Sequence, residues 1–360
     1  MRNDPIVDAV IAVHDPSRPI ARAVASLTRS GLRAGDGLRI TVVCHNLPVE
    51  SISRQLTAFE GPGLRFLHLE DGIASAAGPF NAGIEAATAG YVSIMGSDDR
   101  LEPGALAAWL EFTSGRTADA VIAPQVHASG SPVRTPPVRK FHRGDLDAVR
   151  DRLAYRTAPL GLMSRAAIDR LTLRFPAGLP TGEDQSFSAR LWFEGEGLRY
   201  AASTPRYVVG ADAATRVSTT PRALHTEFAF IEQLIGDPWY LALPLTSRAA
   251  LAVKLVRIHI FAATLARIDA GAFDDDDHST IVRVIERLRS VAPAFERPLS
   301  IADRRTIDAM ARTDADAAHI GELARARRRF GLPSTLVTRD LRGLFAVEGP
   351  LRFMAASALL

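Results

Sequence analysis

The chain has 360 residues, 47% hydrophobic and 23% charged, which is the composition of a folded globular protein and excludes a disordered one. A formal net charge of +3 is small for this length and makes no case for nucleic acid as a partner. The single cysteine, Cys44, excludes an internal disulfide and a cysteine zinc cluster.

The start, "MRNDPIVDAVIAV", carries no long apolar segment with a cleavage site, and no run of about 18 uncharged apolar residues follows. The expectation is a cytoplasmic protein. Residues 6–13 read as a strand and "PIARAVASLTRS" (19–30) as an amphipathic helix opened by proline. "LRITVVCH" (38–45) is a second strand, 49–59 a second helix and "LRFLHL" (64–69) a third strand. The next helix is "PFNAGIEAAT" (79–88), followed by strands at 91–95 and 118–124. Residues 125–157 are richer in proline, arginine and charge, and read as a long loop. Strand and helix patterns return from 158, with "GEDQSFSARLWFEG" as a helix and 199–209 closing the series. Alternation of this kind predicts an α/β sheet. Beyond about 221 only helices are expected, at 222–235, 247–269, 279–291, 301–312 and 316–330. The expected domains are 1–215, α/β, and 216–360, all helical.

"GSDDRLEP" (96–103) ends a core strand on adjacent carboxylates. Open α/β sheets bind ligands beyond the carboxyl ends of their strands, and a divalent cation with a diphosphate would stabilise unpaired acids there. The alternative is that Ser97, Asp98 or Asp99 caps the following helix. "GLPTGEDQSF" repeats the pattern, with Glu183 and Asp184 opening a helix; the choice lies between a general base and carboxylates favoured by the helix dipole.

Three segments carry a resemblance. "IAVHDPSRPIARAVASL", "GPFNAGIEAATAGYVSIMGSDDRLEPGAL" and "GEDQSF" resemble, in order, the opening strand and helix, the metal-side block and the acidic helix start of family 2 glycosyltransferases. The likeness covers about residues 6–210. It implies a GT-A nucleotide-diphospho-sugar transferase fold, with a mostly parallel sheet flanked by helices and, here, a C-terminal all-helical domain for acceptor recognition or oligomerisation. It also implies an inverting glycosyltransferase of bacterial cell-surface type. The donor would be a nucleotide-sugar, UDP-linked by expectation, assisted by Mn²⁺ or Mg²⁺, and the acceptor a glycan, polyol-phosphate or lipid-linked hydroxyl.

Carried over by resemblance, Asp99 binds the metal and Asp98 the ribose or the metal shell. Asp184 is the base, with Glu183 as runner-up. Val13, His14 and Asp15 line the nucleotide base. Asn81, Ala82 and Gly83 sit beside the ribose and phosphates, and Arg216 contacts the diphosphate. The pattern departs from the family in three places. Cys44-His45-Asn46 stands where an acid usually reads uracil, leaving His45 or Asn46 to bond a base; Gly96 replaces the first Asp of "DSDD"; and Phe80 replaces an Arg. A non-catalytic sugar-nucleotide or glycan-binding module and a nucleotidyltransferase are the alternatives. "HDPSRPIA" is not the Gly-rich basic loop that the latter needs, and no G-x-G-x-x-G points to a dehydrogenase.

Among weaker signals, "FDDDDHST" (273–280) reads as a loop capping the next helix and "ARARRRF" (324–330) as a solvated helix face. The 247–269 helix, with Leu251, Leu255, Ile258 and Leu265, reads as core or a dimer seam. Arg139, Lys140, His142 and Arg143 read as an acceptor loop. Peripheral association with the inner face of the membrane and a homo-oligomer through the C-terminal helices both stay open.

Overall fold

A computed structural model of the chain describes residues 5–115, 117–133, 139, 142, 144–210, 221–312 and 316–358. The α/β part runs β1 (Val7–Val13), α1 (Ile20–Thr28), β2 (Leu38–His45), α2 (Val49–Ser53), β3 (Leu64–Leu69), α3 (Ala77–Glu85) and β4 (Tyr91–Gly96). It continues through β5 (Arg100–Leu101), α4 (Ala105–Leu110), β6 (Ala120–Ile122), β7 (Gln125–His127), β8 (Gly161–Ser164), α5 (Arg165–Arg170) and α6 (Glu183–Glu194). Short strands β9 (Arg199–Tyr200) and β10 (Tyr207–Val209) complete it. Seven strands form one sheet in the order β3-β2-β1-β4-β8-β6-β9, and β5-β10-β7 form a small second sheet. β1, β2, β3 and β4 pair in parallel, while β8 runs antiparallel to β4 and β6.

Central parallel strands are covered on both faces, so they read as continuous apolar runs. Along β1 the side chains alternate between two cores, as a strand of period two requires. Ala9, Ile11 and Val13 pack with α1 residues Ile20, Ala23, Val24 and Leu27; Val10 packs on the other face with Ile84, Ile168 and Phe187. The exception in β1 is Asp8, fully buried. Arg39 on β2 clamps it through two bonds of 2.5 and 2.6 Å, and the Thr88 and Ala89 N–H groups donate to it at 2.8 and 2.9 Å. A buried carboxylate needs such partners, and this one ties β1, β2 and the turn before β4 together.

From Leu224 onward the described elements are helical. Their longest run, Leu245–Asp269, is long and apolar enough to cross a membrane by length and composition, with 61% of its apolar window buried inside the fold. Leu251, Leu255 and Leu265 are core residues as expected, whereas Ile258 is exposed. Its middle turn, Leu255–Ile260, is π-helical. The acidic run caps the next helix, Asp275–Val291, through Asp274. Asp277 within it is buried and ion-paired to Arg267 at 2.7 Å, so this part of the run is not solvated. Arg327 likewise leaves solvent to bond Asp303 at 2.7 Å.

The helical region docks on the α/β part through polar and apolar contacts. Tyr155 donates to Glu348 Oε2 at 2.9 Å, and Arg152 donates to the Val347 carbonyl at 2.5 Å. Ala154, Leu179 and Ala189 join the helical region's apolar core. That docking brings helical residues to the end of the sheet where the chemistry-bearing side chains lie.

Candidate active site

β1 and β4 are neighbours, with β2 and β3 beyond β1 on one side and β8 beyond β4 on the other. A crevice opens at such a topological switch point, beyond the carboxyl ends of the strands. Here it is a cavity of about 690 Å³, within the usual range for a small-molecule site. Val13, His14 and Arg18 line it from the end of β1, and His45 and Asn46 from the end of β2. Pro79 and Phe80 line it from α3, and Ser97 and Asp98 from the end of β4. Glu183, Asp184 and Gln185 face it from α6, with Phe230 and His259 from the helical region. The two acidic clusters therefore meet at one cavity.

Asp98 and Asp99 lie in the turn between β4 and β5, and the turn sends their side chains to different places. Asp98 faces the cavity, with Arg18 Nη1 3.3 Å from its Oδ2 and Arg22 donating to its carbonyl at 2.7 Å. Asp99 turns inward. Its Oδ2 accepts from the Tyr207 hydroxyl at 2.5 Å and the Gly96 N–H at 3.2 Å, and its Oδ1 from the Gly210 N–H at 2.7 Å. Burial pushes the Asp99 carboxyl up, against the lowering effect of those donors. Both oxygens are thus spent on holding β10 to β4, and Asp98 is the member of the pair that lines the cavity.

Asn81 and Gly83 also differ from expectation. The Asn81 amide pairs with the backbone of Phe175, donating at 2.8 Å and accepting at 2.9 Å, so its side chain is engaged in a structural bridge and does not line the cavity. Gly83 faces β1: a Cβ there would lie 2.1 Å from Val10 Cγ1, so the glycine serves close helix–sheet packing. Replacing Asn81 with Ala is expected to cost about 1–3 kcal/mol through the unpaired Phe175 groups. Urea unfolding of the two proteins would check it.

Asp15 bonds the Ser17 N–H at 2.8 Å in a local turn and does not line the cavity. Arg139 is committed to Asp151 at 2.7 and 2.9 Å, and His142 contacts the Asp145 carbonyl at 2.9 Å; the described part of that loop is self-bonded. Arg216, Lys140 and Arg143 lie outside the described residues.

Several groups were not anticipated, Arg18 and Phe230 among them. Asp71, just after β3, accepts from His45 Nε2 at 2.8 Å, and its N–H donates to Asn46 Oδ1 at 3.0 Å. Asn46 itself adopts a left-handed φ of 54°, a conformation that Asn tolerates better than most residues. The loop after β3 thus braces His45 and Asn46 at the end of β2 through Asp71; "LEDGI", an acid–glycine turn after a strand, was the available signal. Gln185, Lys254 and His259 had no local signal. The Phe230 ring lies so close to Gly182 that a Cβ there would meet it at 2.5 Å. Gly182, at φ 71°, precedes α6 as its N-cap, so glycine is required where the helical region abuts the acidic helix start.

Burial raises both carboxyls of α6. Glu183 is raised by burial; Asp184 by burial and by the charge of Glu183, with Lys254 and Gln185 opposing. Burial, with help from Lys254, holds His259 well below its ordinary value, so its imidazole is neutral. Burial and Arg18 likewise lower His14. The cavity therefore holds a carboxylate beside Arg18 (Asp98) on the sheet side and two carboxyls raised by burial, Glu183 and Asp184, at the start of α6.

The family described as Glycosyl transferase family 2 matches residues 8–172. Poly(ribitol-phosphate) beta-N-acetylglucosaminyltransferase TarP of Staphylococcus aureus (strain N315) is 21% identical over 234 residues, covering 63% of this chain and 70% of TarP. The crystal structure of S. aureus TarS 1–349 in complex with UDP-GlcNAc superposes with a TM-score of 0.75 at 14% identity, covering 89% of this chain and 91% of that one. The same fragment in complex with UDP gives 0.70, also at 14% identity. At these identities the structures establish a shared fold.

Proposed function

We propose that this chain is a family 2 glycosyltransferase that moves N-acetylglucosamine from UDP-GlcNAc to a hydroxyl of a polyol-phosphate polymer, with inversion. The observation that carries this reading is the convergence of Asp98 and Asp184 on one cavity at the ends of β1 and β4. The donor and acceptor classes draw support from the relatives, one named for poly(ribitol-phosphate) N-acetylglucosaminyl transfer and one crystallised with UDP-GlcNAc. We take residues 1–215 as the catalytic domain and 216–360 as a helical domain that completes the acceptor side.

In this reading His45 and Asn46, braced by Asp71, read the base, and Val13 and His14 pack beside it. Arg18 stands at the diphosphate, where its planar fork suits two phosphate oxygens. The donor set suits Mg²⁺ or Mn²⁺ in the manner of nucleotide enzymes, which hold the ion by one or two carboxylates plus substrate phosphates. Asp98 is the carboxylate in position, and among the described residues no group of three or more protein ligands offers a self-sufficient site. When bound there, the ion supplies positive charge against the departing diphosphate. Asp184 takes the proton of the acceptor hydroxyl as its oxygen bonds the anomeric carbon. The bond from that carbon to the UDP oxygen breaks on the opposite face, and UDP leaves with the electron pair. One displacement inverts the centre. Phe230, His259 and Phe80 wall the sugar side and exclude water.

The test is a donor and acceptor panel: UDP-GlcNAc, UDP-glucose and GDP-mannose against poly(ribitol phosphate) and poly(glycerol phosphate). Transfer of N-acetylglucosamine from the UDP donor to a polyol phosphate is the expected result. Preference for GDP-mannose, or transfer only to neutral glycans, contradicts the donor or acceptor assignment.

A further inference from the structure

We propose that Lys254 is a positioning residue for the transfer, reaching from the helical region through Gln185 to orient the Asp184 carboxylate and supply its counter-charge. The inference rests on the reading of Asp184 as the base.

The geometry is a three-link chain across the docked regions. Lys254 Nζ donates to Gln185 Oε1, and Gln185 Nε2 donates to Asp184 Oδ1 at 2.9 Å. Gln185 thus presents its carbonyl to the lysine and its amide to the aspartate, which fixes its flip and leaves Asp184 one defined orientation. Lys254 is 1% exposed, and an ammonium removed from water needs a charged partner nearby. It is also one of two lysines among the chain's 43 basic residues. A compact ammonium fits a buried slot where a guanidinium fork would need more room, and unlike arginine it responds to its surroundings. The residue directly precedes the π-helical turn Leu255–Ile260, an irregularity that often marks a functional position. That turn also carries His259, whose Nε2 is buried with no hydrogen-bond partner among the described residues and which lines the same cavity.

The electrostatics agree with the geometry. Burial drives Lys254 and Asp184 each toward its neutral form, and each one's charge opposes that drift in the other. Glu183 on the same helix repels Asp184, and Gln185 and Lys254 are the side chains that act the other way. The remaining titratable or charged groups on the cavity wall are His259 from the helical region, neutral, and His14, Arg18, His45 and Asp98 from the sheet ends. Lys254 is therefore the cation that the helical region contributes to the base, and it makes catalysis depend on the docking of that region.

The test uses the full chain with UDP-GlcNAc and poly(ribitol phosphate), measuring kcat from about pH 5 to about pH 9 together with UDP affinity. In Lys254→Met, kcat is expected to fall about tenfold or more at the acid end. The acid limb should move up by about one pH unit, with UDP affinity within about twofold of wild type. A merely structural lysine would move stability and leave the limb in place. Should the methionine variant not fold, Gln185→Leu cuts the same chain from the other side and must shift the limb in the same direction. An unshifted limb and unchanged kcat in the folded variants, with Asp184→Asn inactive, overturns the role of Lys254 alone. Full turnover in Asp184→Asn overturns the base assignment itself, and the relay with it.

Discussion

Asp184→Asn is expected to lower kcat by about 10²–10⁴-fold, the usual contribution of a positioned general base, while UDP binds within about twofold of wild type. Asparagine keeps the shape and the bond from Gln185 but cannot take a proton. Asp184 lines the cavity from α6 and Asp98 from the turn after β4, and the substitution leaves the Asp98 and Arg18 side of the cavity untouched. The wild-type pH profile carries the same signature. Burial and Glu183 raise Asp184, so turnover depends on a carboxylate that becomes protonated as pH falls through a value above the ordinary carboxylate range near 4. Activity is present on the alkaline side of that raised value and is lost below it. A kcat limb at the ordinary carboxylate position, or an asparagine variant with wild-type turnover, would mean that another group takes the proton.

Asp98→Asn is expected to remove a different quantity. In the wild type, Mn²⁺ should tighten UDP binding; in the variant that enhancement should vanish, with kcat/KM down by about 10²–10³-fold, the scale of losing one electrostatic stabiliser of the transition state. Binding of UDP without metal should change little or improve, since Arg18 loses its carboxylate partner at 3.3 Å and turns to the diphosphate. Titrations of both proteins with and without Mn²⁺ decide it. Persistence of the metal effect in the variant would place the ion on another ligand. Asp99 gives the contrasting case, because its oxygens hold Tyr207 and Gly210 and its loss should register as instability.

Much of the sheet was legible because β1, β2 and β4 are buried on both faces and so are written as unbroken apolar runs. That an acid following β4 and the acidic start of a later helix would face one ligand site was expected from the α/β pattern, and Asp98, Glu183 and Asp184 do line one cavity, though Asp99 does not. Which member of the first pair faces the cavity was not legible. That depends on Tyr207, 108 residues away, and on the hand of one turn. Asn81 reads locally like a ligand residue and is claimed instead by Phe175, 94 residues on. Lys254 sits in an apolar helix where a membrane-span reading competes, and only its bond to Gln185 across 69 residues reveals its place. Local pattern reports period and burial; pairing between distant side chains leaves no local trace.

The most direct measurement is a crystal structure of the Asp184→Asn variant with UDP-GlcNAc and Mn²⁺. The account predicts the diphosphate and ion against Asp98 and Arg18, the uracil against His45 and Asn46, and the anomeric carbon open toward residue 184. A donor bound outside the cavity, or an anomeric carbon turned away from residue 184, would contradict it.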